Sequence, residues 1–195
     1  MGRARPLTEL EGTVLGVVWS RQPCTPYQVR RQFTDSPSPH WSGSAGAIYP
    51  LMVRLEEAGL VRSQAHATGS RKSRRYRVTA EGRAALARWV GPPVGDEIVG
   101  VPPDPLRARI AFLTVLPLAK RRKLLEVIEG RIAEFLDLSE RSREEGLFSG
   151  PYFDLMVVGA IAMQRTRLEW VRSVTAALRE GRMGAAAREG GGRKR

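Results

Sequence analysis

The chain has 195 residues, with 32 Lys and Arg against 20 Asp and Glu, which gives a formal net charge of +12. That length suits one large or two small domains, and a hydrophobic content of 42% is enough to build a core. The longest mostly apolar run, residues 155–163, is much shorter than the ~20 residues that a bilayer span needs. Acidic residues interrupt the apolar stretch near the N-terminus, unlike a signal peptide. We therefore expect a cytoplasmic protein without a membrane span.

The residue types that build metal sites and nucleophilic centres are scarce. Cys24 is the single cysteine, so no intrachain disulfide can form, and one Cys with His40 and His66 is too few for a structural zinc site. Nothing in the sequence orients these three as a nucleophile and a base, and the sequence at 42–46, SGSAG, lacks the first glycine of a hydrolase elbow. We predict no metal, no cofactor and no enzyme activity. Cys24 is either a redox-sensing thiol or a small half-buried residue.

The positive charge is unevenly distributed. Residues 1–90 carry a net charge of +8, residues 91–180 are neutral, and residues 181–195 carry +4. The basic first part predicts a polyanionic partner. Five prolines and three glycines at 91–105 predict a linker, and 181–195 has no hydrophobic period and is predicted to be a disordered basic tail.

Three helices are predicted in the first part of the chain. Thr8 begins a helix that ends near Ser20, and Thr25-Pro26 begins a second one that continues through Phe33. After a loop at 35–39, Ser44 is the predicted N-cap of a third helix, which ends at Ala58-Gly59.

A β-hairpin and a fourth helix follow. Residues 60–67 and 74–79 suit two strands, with Tyr76 and Val78 on one face and Arg75 and Arg77 on the other. The connection ATGSRKS forms a basic tip, and Thr79 begins a helix over 80–90. Three helices, a basic hairpin and a helix are the plan of a winged helix-turn-helix domain, whose third helix enters the major groove of DNA.

The same residues resemble the PadR family of transcriptional regulators. The most specific part is the pattern G-x-I-Y-P-x-x-x-R-L-E-x-x-G-L-V from Gly46 to Val61, followed by Tyr76-x-x-Thr79-x-x-Gly82. The resemblance covers nearly all of residues 7–90, with Thr25-Pro26-Tyr27 where the family usually has His-Gly-Tyr. It implies a winged helix-turn-helix, dimerisation through a C-terminal helical domain, and in many members a response to small molecules.

Candidate contacts to double-stranded DNA lie on the third helix and the wing. Short side chains near the helix start could meet base edges, so shape readout is expected to matter. Gly46 would allow a phosphate close to a helix N-terminus, and Tyr49 would either reach the DNA backbone or pack in the core. Arg62 and Arg77 are interpreted as a solvated strand face. The predicted DNA contacts are Ser42, Ser44, Ala45, Gly46, Ala47, Tyr49, Arg54, Arg71, Lys72, Arg74 and Arg75.

The remaining sequence, 106–180, predicts three amphipathic helices. Their apolar stripes could pack within one chain or against a second copy, and we favour a homodimer because two-fold symmetric proteins read paired half-sites, usually pseudo-palindromic. The predicted dimer contacts are Leu125, Ile128, Ile132, Phe135, Leu168, Val171 and Leu178.

Apolar and aromatic side chains in this region could line a pocket for a small aromatic effector, or they could simply be core. Arg165 interrupts the apolar stripe of the last helix and would pair with an acidic effector or, more plainly, with Glu169 one turn on. The candidate pocket residues are Phe112, Phe153, Met156, Met163, Arg165 and Trp170.

We therefore predict a mainly α fold with a small β-hairpin wing. Residues 1–90 form a winged helix-turn-helix domain, 91–105 a linker, 106–180 a helical dimerisation and possible effector domain, and 181–195 the tail. The predicted function is a homodimeric, sequence-specific transcriptional regulator, acting as a repressor that a small molecule relieves. The alternative is a nucleoid or RNA-binding protein that uses the wing and the tail without sequence preference.

Overall fold

A computed structural model describes residues 5–36, 38–68, 71–146 and 151–181. The chain divides between Val101 and Pro102 into two compact units, each with its own hydrophobic core. The architecture is mainly helical with a small two-stranded antiparallel sheet, as predicted. The predicted tail lies outside the described residues from position 182 onward.

The first two helices begin at the predicted N-caps. Helix α1 spans Glu9–Arg21 and helix α2 spans Pro26–Thr34. Thr8 and Thr25 each form a capping box, in which the threonine hydroxyl accepts a backbone N–H and the third helical side chain accepts the N–H of the cap residue. Local sequence therefore fixes where both helices begin.

The third predicted helix is built from three consecutive pieces rather than one. Helix α3 spans Pro39–Gly43, a 3₁₀ turn spans Ser44–Ala47, and helix α4 spans Ile48–Glu57. Ser44 is not an N-cap, because its Oγ donates to the His40 carbonyl at 2.8 Å within the preceding turn. The change of helical type before α4 leaves Pro50 in the first turn of α4, where its missing N–H is tolerated.

The hairpin follows α4 and has a shorter connection than predicted. Strand β1 spans Val61–Thr68 and strand β2 spans Arg71–Val78, paired antiparallel. The antiparallel pairing continues to Thr68 opposite Arg71. Strand pairing depends on backbone hydrogen bonds, so it extends through residues whose side-chain types suggested a loop.

Glycine and threonine join the hairpin to helix α5, Ala80–Val90. Gly59 ends α4 with φ of +71°, a conformation that favours glycine. The Thr79 Oγ1 donates to the Gly59 carbonyl at 2.7 Å and accepts from the Gly82 N–H at 2.9 Å. A Cβ on Gly82 would lie 1.9 Å from the Leu60 carbonyl oxygen, so α5 approaches this turn more closely than any other residue type allows.

The core of the first unit comes from every one of its longer elements. Helix α4 contributes Ile48, Leu51, Met52 and Leu55, which are buried against α1 and α2, and the hairpin contributes Val61 and Tyr76. Since one face of α4 is committed to this core, the opposite face is left to solvent.

The predicted linker contains a helical turn that its prolines and glycines did not suggest. Helix α6 spans Asp96–Val99, between the prolines at 92–93 and 102–103. Two acidic residues at its first positions suit the positive end of the helix dipole, which explains the local turn. In the described part of the chain, no helix is long and apolar enough to cross a membrane.

The second unit is an antiparallel helical hairpin with a short helix beside it. Helix α7 spans Pro105–Ala111 and is followed by a 3₁₀ turn at Leu113–Val115, while α8 spans Leu118–Glu144 and α9 spans Pro151–Arg179. Among the described residues, three ion pairs link the two long helices in antiparallel order, and a fourth pair joins α9 to the start of α7. They are Arg143 with Asp154, Arg165 with Glu140, Arg172 with Glu129, and Arg167 with Asp104.

The stripe that the sequence assigned to a dimer interface is the core of this hairpin. Five of its side chains are buried within one chain, Ile128 packs against them, and Phe135 is half-buried. The buried five are Leu125, Ile132, Leu168, Val171 and Leu178. The heptad-like spacing correctly indicates burial, but α8 and α9 of the same chain bury these five side chains against each other, so the five are withdrawn as contacts to a second copy, and Ile128 and Phe135 stay predictions.

A carboxylate at the first helix gives the first unit a defined response to acid. Glu11 is buried and accepts two hydrogen bonds from the Arg5 guanidinium, at 2.6 and 2.8 Å, and one from the Thr8 N–H at 2.9 Å. The hydrogen bonds from Arg5 make the largest contribution and lower the pKa of Glu11 to about 2.

Replacing Glu11 by Gln is expected to lower the free energy of unfolding at neutral pH by about 1–3 kcal/mol. Because the folded pKa is depressed, the stabilisation is complete above the ordinary glutamate value and is lost as the pH falls from about 5 toward 2. Urea unfolding measured between pH 2 and 7 should therefore show that the free energy of unfolding of the variant falls less steeply toward acid pH than that of the parent. Glu9→Gln, on the exposed side of the same turn, is the control; parallel acid limbs for Glu11→Gln and the parent would contradict the assignment.

Candidate nucleic-acid interface

Helix α4 presents a solvent face opposite its core face. Tyr49 is 46% exposed and Val53 is 50% exposed, and Arg54 is exposed one turn beyond Pro50. Tyr49 is therefore not a core residue, which decides between its two predicted roles in favour of the surface. A phenol hydroxyl and a guanidinium on one exposed helix face are groups that donate hydrogen bonds to phosphate oxygens.

The residues that precede α4 divide between surface and core. The Ser42 and Ser44 hydroxyls are half-buried and donate to the carbonyls of Ser38 and His40, at 3.2 and 2.8 Å. Their lone pairs remain available as acceptors, for example for a cytosine amino group. Ala45 is only 6% exposed and packs in the core, so it is withdrawn as a base contact.

Gly46 and Ala47 leave an exposed small-residue surface at the 3₁₀ turn. A Cβ on Gly46 would meet nothing within 4 Å, so no neighbour in the protein requires a glycine there. The position does not lie at a free helix N-terminus, since α3 and the 3₁₀ turn run directly into it. Close approach of an outside backbone, rather than the helix dipole, is the physical argument for glycine at this site.

Glu56, at the end of α4, ties the helix to the wing. Its Oε1 accepts from the Ser63 N–H at 3.2 Å, from Ser63 Oγ at 2.6 Å and from Arg74 Nη2 at 3.0 Å, and its Oε2 accepts from the Tyr76 hydroxyl at 3.3 Å. The hydrogen bond from the Ser63 hydroxyl is the largest cause that lowers the pKa of Glu56. One carboxylate thus fixes β1 and β2 relative to α4.

The two faces of the hairpin have different environments. Tyr76 is buried on the inner face, where Cys24 pairs with it as an additional bridge through hydrogen bonds of 3.2 and 2.8 Å. Arg75 and Arg77 are exposed on the outer face, as the alternation predicts. The side chains of Arg71 and Lys72 lie outside the described residues.

Arg74 is occupied within the protein. Its guanidinium pairs with Glu56 and lies over the Tyr76 ring, 5.9 Å from the centroid. An ion pair already neutralises this charge, so Arg74 is a weaker candidate for a phosphate contact than the sequence suggested. Its side chain lies on the inner strand face and is 61% exposed.

Cys24 has the environment of a structural residue. It is 1% exposed, and burial raises the pKa of its thiol, which disfavours the thiolate that redox sensing requires. His40 lies on α3 against the Trp41 ring, and the His66 side chain is outside the described residues. In the described ranges, no group of three or more His, Cys, Asp or Glu side chains could hold a metal ion.

The candidate effector residues of the second unit are spread over several surfaces. Phe112 lines a cleft of about 560 Å³ between α7 and α8, whereas Arg165 lines a different one between α8 and α9. Met156 and Met163 are exposed, while Phe153 and Trp170 are half-buried. Arg165 pairs with Glu140 across the hairpin at 2.5 Å rather than with Glu169.

Together these features define a class of protein. The helical part of the first unit exposes one face of α4, and a basic hairpin is held beside that helix by Glu56. This is the arrangement of a winged helix-turn-helix domain, here followed by a separate helical unit.

Comparisons with known proteins agree with this class. Residues 14–88 match the model of the transcriptional regulator PadR-like family. Bacillus subtilis PadR, solved in complex with operator DNA, has a similar fold, with a TM-score of 0.73 at 20% identity, covering 89% of this chain and 99% of that chain. The same protein solved with p-coumaric acid gives a TM-score of 0.68 at 18% identity, covering 87% and 94%. The Vibrio cholerae virulence activator AphA gives 0.65 at 17%, covering 88% and 99%.

Residues 14–88 of the chain therefore resemble the transcriptional regulator PadR-like family, and the chain shares its fold with the solved PadR structures. No protein with a curated description matches the sequence.

Sequence reasoning missed Glu56, which the structure makes the centre of the helix–wing junction. Its partners Ser63, Arg74 and Tyr76 are 7, 18 and 20 residues away, so no local pattern reveals the cluster. Arg62 and Arg77 are exposed on the outer strand face, as the sequence predicts, and the strand register places them opposite each other. Strict alternation from the buried Tyr76 could have indicated that register.

Proposed function

We propose that the chain is a homodimeric repressor that binds a specific operator in double-stranded DNA and is released by a small-molecule effector. The observation that supports DNA recognition best is the exposed α4 face, with Tyr49 and Arg54, fixed next to a basic wing by Glu56. Because Glu56 already fixes the wing relative to α4, little conformational entropy is lost when the two bind DNA, and this favours binding.

Selection of bound fragments from the organism's own genomic DNA tests this function. We expect enrichment of a discrete, pseudo-palindromic site, and competition against random duplex of equal length should show a preference of roughly 10³-fold or more. Repression is then tested with a reporter behind the selected site. Equal binding to the selected and the random duplex would instead establish the alternative, a nucleic-acid binder without sequence preference.

An exposed apolar stripe on α9 is the surface that we propose for the second copy. Leu155 is 62% exposed, Met156 is 54% exposed and Met163 is 65% exposed, and their spacing puts them along one side of the helix with Gly159 between them. Contiguous exposed apolar side chains on a helix indicate a protein contact, and a two-fold symmetric reader needs one. This stripe replaces the buried residues that the sequence suggested.

Replacing Met156 and Met163 together by Glu is expected to convert the dimer to monomers, because four charges would then face one another across a symmetric interface. Sedimentation of the double variant should give the monomer mass. Tyr27→Glu is the control, because Tyr27 is an exposed large side chain on α2; this variant should sediment like the parent. A double variant that keeps the dimer mass would exclude this stripe.

The effector proposal rests on the cleft of the second unit next to Phe112. Its wall is formed by apolar groups of Pro105, Ala108, Leu113, Leu116 and Leu124, which suit the flat apolar body of a small aromatic compound. B. subtilis PadR, which has a similar fold, was solved in complex with a small aromatic acid, p-coumaric acid. We expect an aromatic acid to release the protein from the selected DNA fragment. The same acid should not release the Phe112→Ala variant.

A further inference from the structure

The charges of residues 91–180 cancel in sum but are unevenly distributed along the chain. The stretch 105–125 contains six Lys and Arg and no Asp or Glu. It forms α7, the 3₁₀ turn after it and the first two turns of α8. The region that is neutral as a whole therefore contains a strongly basic part, in addition to the basic wing of the first unit.

The cations of this stretch differ from the other arginines of the second unit in their partners. Among the described residues, the stretch has one contact to a carboxylate, between Lys123 and Glu126 at 4.0 Å. Arg109, Lys120 and Arg122 are exposed and have no carboxylate partner there. Outside the stretch, six arginines each pair with a carboxylate at 2.5–2.8 Å, namely Arg131, Arg141, Arg143, Arg165, Arg167 and Arg172. The chain thus supplies counter-charges along the rest of the helical hairpin and leaves this part cationic.

Two of these unpaired cations lie at the apolar cleft next to Phe112. Arg109 lines the cleft, and its Nη1 donates to the Pro105 carbonyl of its own helix at 3.4 Å. Lys120 lies one turn before Leu124, which lines the cleft from α8, so these two residues share one side of that helix. Phe112 is 71% exposed at the same cleft. An open aromatic ring and two cations from two different helices therefore meet at one site.

The local structure of α8 does not account for the cation at its start. Lys120 lies in the first turn, where the positive end of the helix dipole disfavours a cation, and that turn contains no acidic residue. An anion in the cleft would face Arg109 and Lys120 together and would offset this repulsion. A phosphate group has three acceptor oxygens and nearly two negative charges at pH 7 or above, so it balances both cations, whereas a carboxylate balances one.

We propose that the Phe112 cleft binds an aromatic compound that carries a phosphate group, with the ring against Phe112 and the phosphate held by Arg109 and Lys120. This inference rests on the proposed function and deepens it, because it names the chemical class of the effector. The cleft, of about 560 Å³, has the size of a small-molecule site. Ring packing supplies affinity that is independent of charge, and the two cations supply the preference for a doubly charged group.

The test is isothermal titration calorimetry of the full chain at pH 8 without DNA, with three compounds that share one benzene ring. Phenyl phosphate is doubly charged, benzoate is singly charged and benzamide is neutral. We expect affinity to fall in that order, with phenyl phosphate bound about tenfold or more tightly than benzamide. Arg109→Gln with Lys120→Gln should bring the three affinities within about twofold of one another. Phe112→Ala should weaken all three in similar proportion.

Arg107→Gln with Arg122→Gln is the matched control, because it removes the same charge from the same two helices away from the cleft. Arg107 does not line the cleft, and Arg122 lies about 200° around α8 from Leu124. We expect this control to keep the parent's preference for phenyl phosphate. Equal affinities of the parent for the three compounds would overturn the inference. So would a preference that survives in Arg109→Gln with Lys120→Gln, or one that the control loses to the same extent.

Release of the selected DNA fragment, measured separately, distinguishes this inference from the proposed function. If phenyl phosphate binds with the expected dependence on Arg109 and Lys120 but leaves the fragment bound at saturation, the cleft inference stands and the effector role fails. If benzamide binds as tightly as phenyl phosphate and releases the fragment, the effector role stands and the inference is wrong. If none of the three compounds shows binding that depends on Phe112, both are wrong.

Discussion

Replacement of Gly82 by alanine is expected to lower the free energy of unfolding of the first unit by about 3 kcal/mol or more. The added Cβ would lie 1.9 Å from the Leu60 carbonyl oxygen and 2.9 Å from its carbonyl carbon. Both are backbone atoms, so no side-chain rotation relieves the contact. Helix α5 must then move away from the turn that Gly59 and Thr79 form, which also loosens the Thr79 Oγ1 hydrogen bond to the Gly82 N–H.

Urea unfolding followed by tryptophan fluorescence measures this effect, since Trp19, Trp41 and Trp89 all belong to the first unit. Gly130→Ala is the matched control, because a Cβ there meets nothing within 4 Å and the position lies inside α8. We expect that control to stabilise its helix by about 0.5–1 kcal/mol. An unfolding midpoint of Gly82→Ala equal to that of the parent would show that the junction is looser than its geometry indicates.

The same junction shows which parts of the domain the sequence can predict. Capping boxes at Thr8 and Thr25 and the glycine stop at Gly59 depend on neighbours within a few residues, so the helix ends follow from local chemistry. Alternation around Tyr76 likewise fixed the two faces of the wing. These parts of the fold could be read before any tertiary contact was known.

Parts of the candidate site depend instead on contacts between distant residues. Ser44 has the residue type of an N-cap, but α3 precedes it directly and its hydroxyl is used within the turn. Arg74 belongs to the most basic stretch of the chain, yet Glu56 from another element neutralises it. Charge density along a sequence therefore indicates a polyanion-binding region without identifying which charges are free.

The C-terminal stripe is ambiguous for a related reason. Hydrophobic periodicity predicts that one side of α8 is buried. It does not indicate whether the helix that buries this side belongs to the same chain or to a second copy. The described hairpin answers this for Leu125, Ile132 and their neighbours, which α9 covers. The side of α9 that carries exposed apolar side chains is not covered by another helix in the described part of the chain. This side is therefore available to a second copy.

Leu125→Ala is expected to cost the second unit about 2–5 kcal/mol, because Leu125 is fully buried and its truncation leaves a cavity in the core of that unit. Hydrogen exchange of the α8 and α9 amides measures this cost for the second unit alone. Val127→Ala, half exposed on the same helix, is the control and should change the opening free energy by less than about 0.5 kcal/mol.

Protein concentration separates the two possible origins of that cost. If Leu125 lay between two copies, the loss caused by Leu125→Ala would shrink at concentrations where the chain is monomeric, since binding contributes to stability by mass action. A core within one chain has no such dependence, and we expect the difference between Leu125→Ala and the parent to be the same at low and high concentration. The stability of both should still rise together with concentration if the α9 stripe holds the dimer, whereas a difference that falls on dilution would return the α8 seam to the interface.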